Sequence, residues 1–366
     1  MNIETLLREL IRIPTTADHP ERLKEVVDVV DHWFADWTRH KERFERNGKH
    51  SLYLNTREGR HSQVLFVGHL DVVPAEHSEQ FEPRVEGRRL YGRGALDMKG
   101  PDAVMIRLFL DLMAQSRVPS CALMLTTDEE VGSRDGVEWL VKEQGIGADF
   151  VIVPDGGSSF RLIYAEKGAL HLRVKARGKA AHGSQPWLGD NAIDQLIRAY
   201  QALRQWIDAQ AQPEDPEHWY PTLNLGRIQG GRAPNIVADE AWMDLDFRFP
   251  GPTSPREFLR QVKEILHTSG NFELEDLTTA VPVETDRDHP LFQRFLETME
   301  SVLGRPVQLA REHGATDARH FAEKGMPVVI LYPVGDGIHG PNEWVDLPSL
   351  DTLYAIFKAY VDALPS

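Results

Sequence analysis

The chain has a single cysteine, Cys121, among 366 residues. An internal disulfide framework is therefore excluded, and because Cys121 lies in the apolar run 121–125 its thiol reads as packed rather than nucleophilic. No apolar run approaches the roughly 20 residues that span a bilayer. The start, Met1-Asn-Ile-Glu-Thr-Leu-Leu, reads as an amphipathic helix and not as a signal peptide. These absences set the expectation of a soluble, cytoplasmic protein. Positive charge is also scarce: 41 Lys and Arg against 56 Asp and Glu leave a formal net charge of −15. That balance argues against a nucleic acid or an anionic membrane as partner. It does not exclude an acidic small molecule, because local arginines or a metal reverse the sign inside a cleft. Internal repeats and low-complexity tracts are missing as well.

What is present suits a globular protein of about two domains, with 41% hydrophobic and 27% charged residues. The first part alternates helices and strands. Helical spacing of Leu23, Val26, Val27, Val30 and Phe34 predicts a helix over 21–37. Apolar runs at 64–68, 121–126 and 149–153 read as strands buried on both faces, and helices are expected at 100–113 and 133–143. Such alternation predicts an α/β fold with a doubly wound, mostly parallel sheet. The pattern changes at 168. A half-exposed strand at 169–176, a helix capped by Asp190, strands at 222–229 and 235–249, a helix at 255–267 and a strand near 272–277 follow. The order β-α-β-β-α-β is that of a ferredoxin-like α+β unit. The expected organisation is a catalytic domain in two parts, 1–167 and 281–366, with residues 168–280 inserted as a second domain.

Chemistry-bearing residues gather at strand ends. The first strand breaks at Gly68 and delivers His69 and Asp71; the next ends in Asp128-Glu129-Glu130; the third ends at Asp155. Gly-rich loops add Asp97 and His339. In α/β folds the carboxyl edge of the sheet is where ligands bind. Two histidines with several carboxylates suit Zn²⁺, Mn²⁺ or Co²⁺ better than an all-oxygen Mg²⁺ or Ca²⁺ site.

The ordered motifs Gly68-His69-Leu-Asp71-Val-Val-Pro74, Gly92-Arg-Gly-Ala-Leu-Asp97-Met-Lys-Gly100, Thr127-Asp-Glu129-Glu130-Val-Gly132, Asp155, Ala181-His182-Gly-Ser184 and His339-Gly-Pro341 resemble a known set. It is that of the zinc peptidases and deacylases that include succinyl-diaminopimelate desuccinylase, acetylornithine deacetylase, aminoacylases and glutamate carboxypeptidase. The resemblance covers nearly the whole chain. It implies two Zn²⁺ ions per chain (Co²⁺ or Mn²⁺ as substitutes) bridged by Asp97, with His69 and Asp155 completing one site and Glu130 and His339 the other. Some relatives carry Glu where this chain has Asp155. The resemblance further implies that Asp71 orients the ring of His69, that Glu129 is the general base, and that a cis peptide follows Asp97. It implies that His182 stabilises the oxyanion, and that the inserted domain is a lid through which two copies form a homodimer. Arg248, which alternation places on the face of its strand away from the core, resembles the arginine that holds a substrate carboxylate in relatives, together with Asn235. Thr316, in Gly314-Ala-Thr-Asp317, resembles a residue of the substrate loop.

The function expected from this set is two-metal hydrolysis of an amide in a small carboxylate-bearing substrate: an N-acyl amino acid, a succinyl-diaminopimelate-like compound or a dipeptide. A two-metal phosphoesterase would use similar ligands, but the strand ends show neither a phosphate-cradling loop nor an arginine cluster. A metal-stabilised binding protein without catalysis is the other alternative, and Glu129 beside Glu130 counts against it.

Overall fold

In the computed structural model, which describes every residue except 157, 213 and 366, the strand His61–His69 lies between Cys121–Thr126 and Gly147–Val153 and is parallel to both. The sheet continues beyond Gly147–Val153 to Val328–Ile330, again parallel, and then to the antiparallel Leu162–Glu166. On its other side the antiparallel pair Lys49–Asn55 and His40–Arg46 follows Cys121–Thr126. The fold is thus mixed α/β, with a large sheet whose four central strands are parallel. Those strands bury both faces, and all six residues of Cys121–Thr126 are buried, as two covered faces require.

Helices Lys99–Met113 and Leu347–Asp362 belong to this core, where Phe66 meets Phe357 with ring centroids 5.0 Å apart and Phe295 meets Tyr360 at 5.0 Å. Gly68 is set by the first of these helices. A Cβ there would lie 2.0 Å from Asp102 Oδ1 and 2.7 Å from Met105 Cε, so no larger residue fits beside the helix. A small antiparallel sheet, Gly335–Asp336, Trp344–Asp346, Arg89–Tyr91 and Arg84–Glu86, ties the loop before Asp97 to the loop around His339. Much of the stretch 74–93, which reads as irregular in the sequence, goes into this sheet and the short turn Ser78–Phe81.

The chain divides into two compact units: Met1–Ala165 with Thr285–Glu312 and Thr316–Ser366, and Glu166–Glu284 with His313–Ala315. In the second unit the sheet order is Thr222–Gly230, Glu240–Phe249, Gly168–Arg177, Glu273–Ala280, with every neighbouring pair antiparallel. That is the ferredoxin-like arrangement. Helices Ala192–Asp208 and Pro255–Ser269 cover one face, where Leu172, Val174, Met243, Phe247 and Phe258 are buried together. Phe249 stacks on Phe258 at 4.3 Å.

Several local expectations change. The helix expected over 21–37 ends at Trp33, and the strand expected over 235–249 begins only at Glu240. Asn191, not Asp190, caps the helix Ala192–Asp208, its side chain accepting from the Ile193 and Asp194 amides. The helix expected from 133 starts only at Val137. The Asp128 carboxylate accepts from the Asp135 and Gly136 amides at 2.8 Å each, which holds 128–136 in a closed turn, with Ser133 at φ +64°.

Candidate metal centre

Register explains why distant residues meet. His69 pairs with Thr126, Phe66 with Ile152, and Ile330 with Val153, so four parallel strands end along one edge. The chain leaving them carries His69, Glu129 and Glu130, Asp155 and Tyr332. Asp97 arrives from the loop that starts the helix Lys99–Met113, after which the Asp97–Met98 peptide is cis. His339 arrives from the loop Gly337–Gly340, at φ +62°.

Two triads result. His69, Asp97 and Asp155 are all buried and offer ligand atoms within 4.8 Å of one another; so do Asp97, Glu130 and His339, of which His339 is half exposed. Asp97 belongs to both. Its Oδ1 lies 3.2 Å from His69 Nε2, and its Oδ2 lies 3.1 Å from His339 Nε2. His69 Nε2 is 3.8 Å from Asp155 Oδ1, and His339 Nε2 is 3.5 Å from Glu130 Oε1. Atoms bound tetrahedrally at ~2.1 Å from one ion stand roughly 3.4 Å apart, and these separations bracket that value. His69 Nε2 and Glu130 Oε1 are buried without a hydrogen-bond partner among the described residues, a costly state for polar atoms unless another group is coordinated there. The nitrogen and oxygen donors, their spacing and these orphaned atoms fit a pair of divalent cations.

The surroundings orient these groups. His69 Nδ1 lies 3.0 Å from the backbone oxygen of Asp71, while the nearer carboxylate oxygen stands 3.6 Å away. Both the carbonyl and the carboxylate of Asp71 thus stand beside the ring. That carboxylate also accepts from the Glu129 and Glu130 amides at 3.3 and 3.1 Å, so Asp71 links the first strand end to the second. Charge coupling is strong. Burial acts to lower the His69 imidazole, but Asp155, Asp71 and Asp97 hold it well above its ordinary value. The neighbouring Asp97 and Glu130 carboxylates push His339 up to about 10. Burial and then the Asp97 charge push Asp155 up to about 6. Burial, followed by the Asp155 charge, raises Glu129 well above the usual carboxylate range.

Thr316 Oγ1 accepts from the Ala318 amide at 3.2 Å, just before the short helix Ala318–Ala322. In the second unit, exposed His182 lies 2.8 Å from Ser184 Oγ through Nδ1 and forms an isolated bridge to Ile236. Asn235 accepts the Gly183 amide on its carbonyl at 2.7 Å, which sets it beside His182. Arg248 lies on the sheet face away from the helices, its Nε donating to Asp246 Oδ1 at 2.9 Å.

One residue escapes sequence reasoning altogether. Tyr332, buried at the end of an apolar strand, donates its hydroxyl to Asp155 Oδ1 at 2.6 Å. In the sequence it is indistinguishable from a core aromatic; only its place two residues beyond a strand pointing at the site could have drawn notice. Arg93 lies within a motif singled out from the sequence and Glu343 two residues beyond another, but nothing there marks their role.

The model of peptidase family M20/M25/M40 matches residues 65–363. Succinyl-diaminopimelate desuccinylase of Alkalilimnicola ehrlichii is 30% identical over 330 residues, covering 85% of this chain and 86% of the relative. The enzyme of the same name from Marinobacter nauticus is 28% identical over 325 residues, covering 83% and 84%. Among solved structures, aminopeptidase PepT of Bacillus cereus superposes with a TM-score of 0.80 at 21% identity, over 99% of this chain and 97% of that one. An M20 family metallo-carboxypeptidase of Sulfolobus solfataricus does so with 0.80 at 19%, over 99% and 98%. At these identities the structures speak for the fold alone.

Proposed function

The chain belongs to peptidase family M20/M25/M40 and is a metal-dependent hydrolase of amide bonds, and from that premise we propose that it holds two Zn²⁺ ions and cleaves an amide in a small carboxylate-bearing substrate. The observation that carries this reading is the division of Asp97, one oxygen toward each triad. His69 and Asp155 would complete the first site, Glu130 and His339 the second. When bound, such ions supply Lewis acidity to the scissile carbonyl and to the attacking water.

The protein's own groups do the rest. Glu129 takes the proton of the attacking water and returns it to the leaving amine nitrogen. Asp71 keeps the Glu129–Glu130 turn beside His69 through its two amide contacts. His182 donates to the oxyanion of the tetrahedral intermediate, from its own or a neighbouring subunit. Arg248, released from Asp246, holds the substrate carboxylate with Asn235, and Thr316 lines the same substrate. The substrate class comprises N-acyl amino acids, succinyl-diaminopimelate-like compounds and dipeptides; the curated relatives favour the succinylated amine.

We further place the protein in the cytoplasm as a homodimer formed through residues 168–280, which act as a lid. Exposed Trp187, Leu188, Ile197, Ile228 and Ile236 support that interface, as does the open edge strand Thr222–Gly230. No helix among the described residues is long and apolar enough to cross a membrane.

The test is Glu129→Gln in the metal-loaded protein, assayed across the three substrate classes. Metal content should stay at two ions per chain while kcat falls by at least ~10²-fold. Unchanged turnover would remove Glu129 as the base, and full activity after exhaustive chelation would remove the metal from the reaction.

A further inference from the structure

Arg93 and Glu343 form an ion pair with both side chains 1% exposed, Arg93 Nη1 donating to Glu343 Oε2 at 2.9 Å. Neither offers a ligand atom to either triad. Their remaining bonds go to backbone. Glu343 Oε2 also accepts from the Gly94 amide at 2.9 Å, and its Oε1 accepts from the Leu96 and Asp97 amides at 2.9 and 3.0 Å. One carboxylate therefore takes three amides of the loop that ends at Asp97. Arg93 Nη2 donates to the His339 carbonyl at 3.1 Å and to the Pro74 carbonyl at 3.4 Å. The Gly92 amide closes the circuit on the Glu343 carbonyl at 3.1 Å.

We propose that Arg93 and Glu343 are positioning residues for the second triad, setting the separation of Asp97 from His339. The inference rests on the two-metal reading above. The hydrogen bonds are unevenly distributed: the pair grips the backbone of Asp97 and of His339, two of the three members of the second triad, and shares only Asp97 with the first. His339 needs such support, since it stands half exposed at φ +62° in a glycine-flanked loop. A planar guanidinium reaches a carboxylate and two carbonyls at once; a lysine ammonium on a flexible stem does not hold that fork. Groups that orient metal ligands without touching the ion contribute roughly 10–100-fold to its affinity.

Zn²⁺ titration of the chelator-stripped full chain by calorimetry tests this, with thermal melting of each stripped protein alongside. Wild-type protein that binds fewer than two equivalents overturns the two-metal reading itself, before any variant is compared. Single triads are then isolated by Asp155→Ala, which leaves the second, and Glu130→Ala, which leaves the first. Arg93→Lys should weaken Zn²⁺ binding roughly 10–100-fold in the Asp155→Ala chain and by less than about threefold in the Glu130→Ala chain. Equal losses in both chains, or none in the first, overturn the proposal. Glu343→Gln provides an independent arm should Arg93→Lys fail to fold. Because Asp97 serves both triads, it should weaken Zn²⁺ binding in both chains, and unchanged affinity in the Asp155→Ala chain overturns the proposal as well.

Discussion

Replacing Tyr332 with Phe removes one hydroxyl and leaves the ring in place, so it isolates the 2.6 Å bond to Asp155. Both partners are buried, Tyr332 3% and Asp155 7% exposed. A hydrogen bond to a charged group contributes about 1.5–3 kcal/mol, and a short O–H···O⁻ bond belongs to that class. At ~1.4 kcal/mol per tenfold change, its loss corresponds to roughly a 10–100-fold weaker hold on a cation that needs Asp155 in one orientation. The measured range for groups that orient metal ligands is the same, roughly 10–100-fold, so two independent routes agree. The assay is competition calorimetry against a chelator in the Glu130→Ala chain, where only His69, Asp97 and Asp155 remain as a triad. Affinity within about twofold of the Tyr332 protein would refute the reasoning, because it would mean that the surrounding packing alone orients Asp155.

Further expectations concern buried groups that are not themselves ligands. Asp102 is fully buried with neither oxygen bonded among the described residues, and burial raises its carboxyl well above the ordinary value, against the opposing charges of His69 and Lys99. A raised carboxyl is satisfied below the unfolded pKa of about 3.9, and its stability is lost as pH rises, by up to ~1.4 kcal/mol per unit. Asp102→Asn should therefore match the parent in denaturant melts near pH 4 and become progressively more stable toward pH 7; a constant difference would count against it. His320 behaves in the opposite sense. Burial, then the Arg319 and Lys142 charges, push it down to about 2, so the unfolded chain takes up a proton below ~6.5 while the folded one does not. Stability should fall on acidification from pH 6.5 to 5 by up to about 2 kcal/mol, and His320→Gln should flatten that limb in urea titrations at both pH values.

The legibility of this chain follows what its residues have to do. Strands buried on both faces announce themselves by uninterrupted apolar runs, so Cys121–Thr126 is read with its bounds intact. Short strands such as Leu162–Glu166 and Leu309–Glu312 do not stand out in this way, because four or five residues are too few to carry a period of their own. The polar residues of the two triads stand out because they interrupt apolar strands or sit in glycine-rich loops. Glu343 does not, since a carboxylate that serves backbone amides imposes no pattern on the residues it serves. Asp71 is legible as a neighbour of His69, but its bonds to the Glu129 and Glu130 amides are not, because a contact between two strand ends leaves no spacing in the sequence. Asp128 likewise shifts a helix start by capturing two amides, an effect that helical spacing cannot foresee.

The place of Val328–Ile330 in the sheet, between Gly147–Val153 and Leu162–Glu166, bears on how the protein is made. Both flanking strands leave the ribosome long before the strand that joins them. At ~5–20 residues per second, the intervening chain takes roughly ten to thirty seconds to synthesise. All four strands of the inserted sheet lie within that interval. Until it ends, the first sheet carries an open slot with two unpaired strand edges, and such edges invite pairing with other chains. The same late segment brings Tyr332 and His339. A nascent or truncated chain that stops short of residue 328 is therefore both adhesive and without a finished site, and the same closing event removes both conditions.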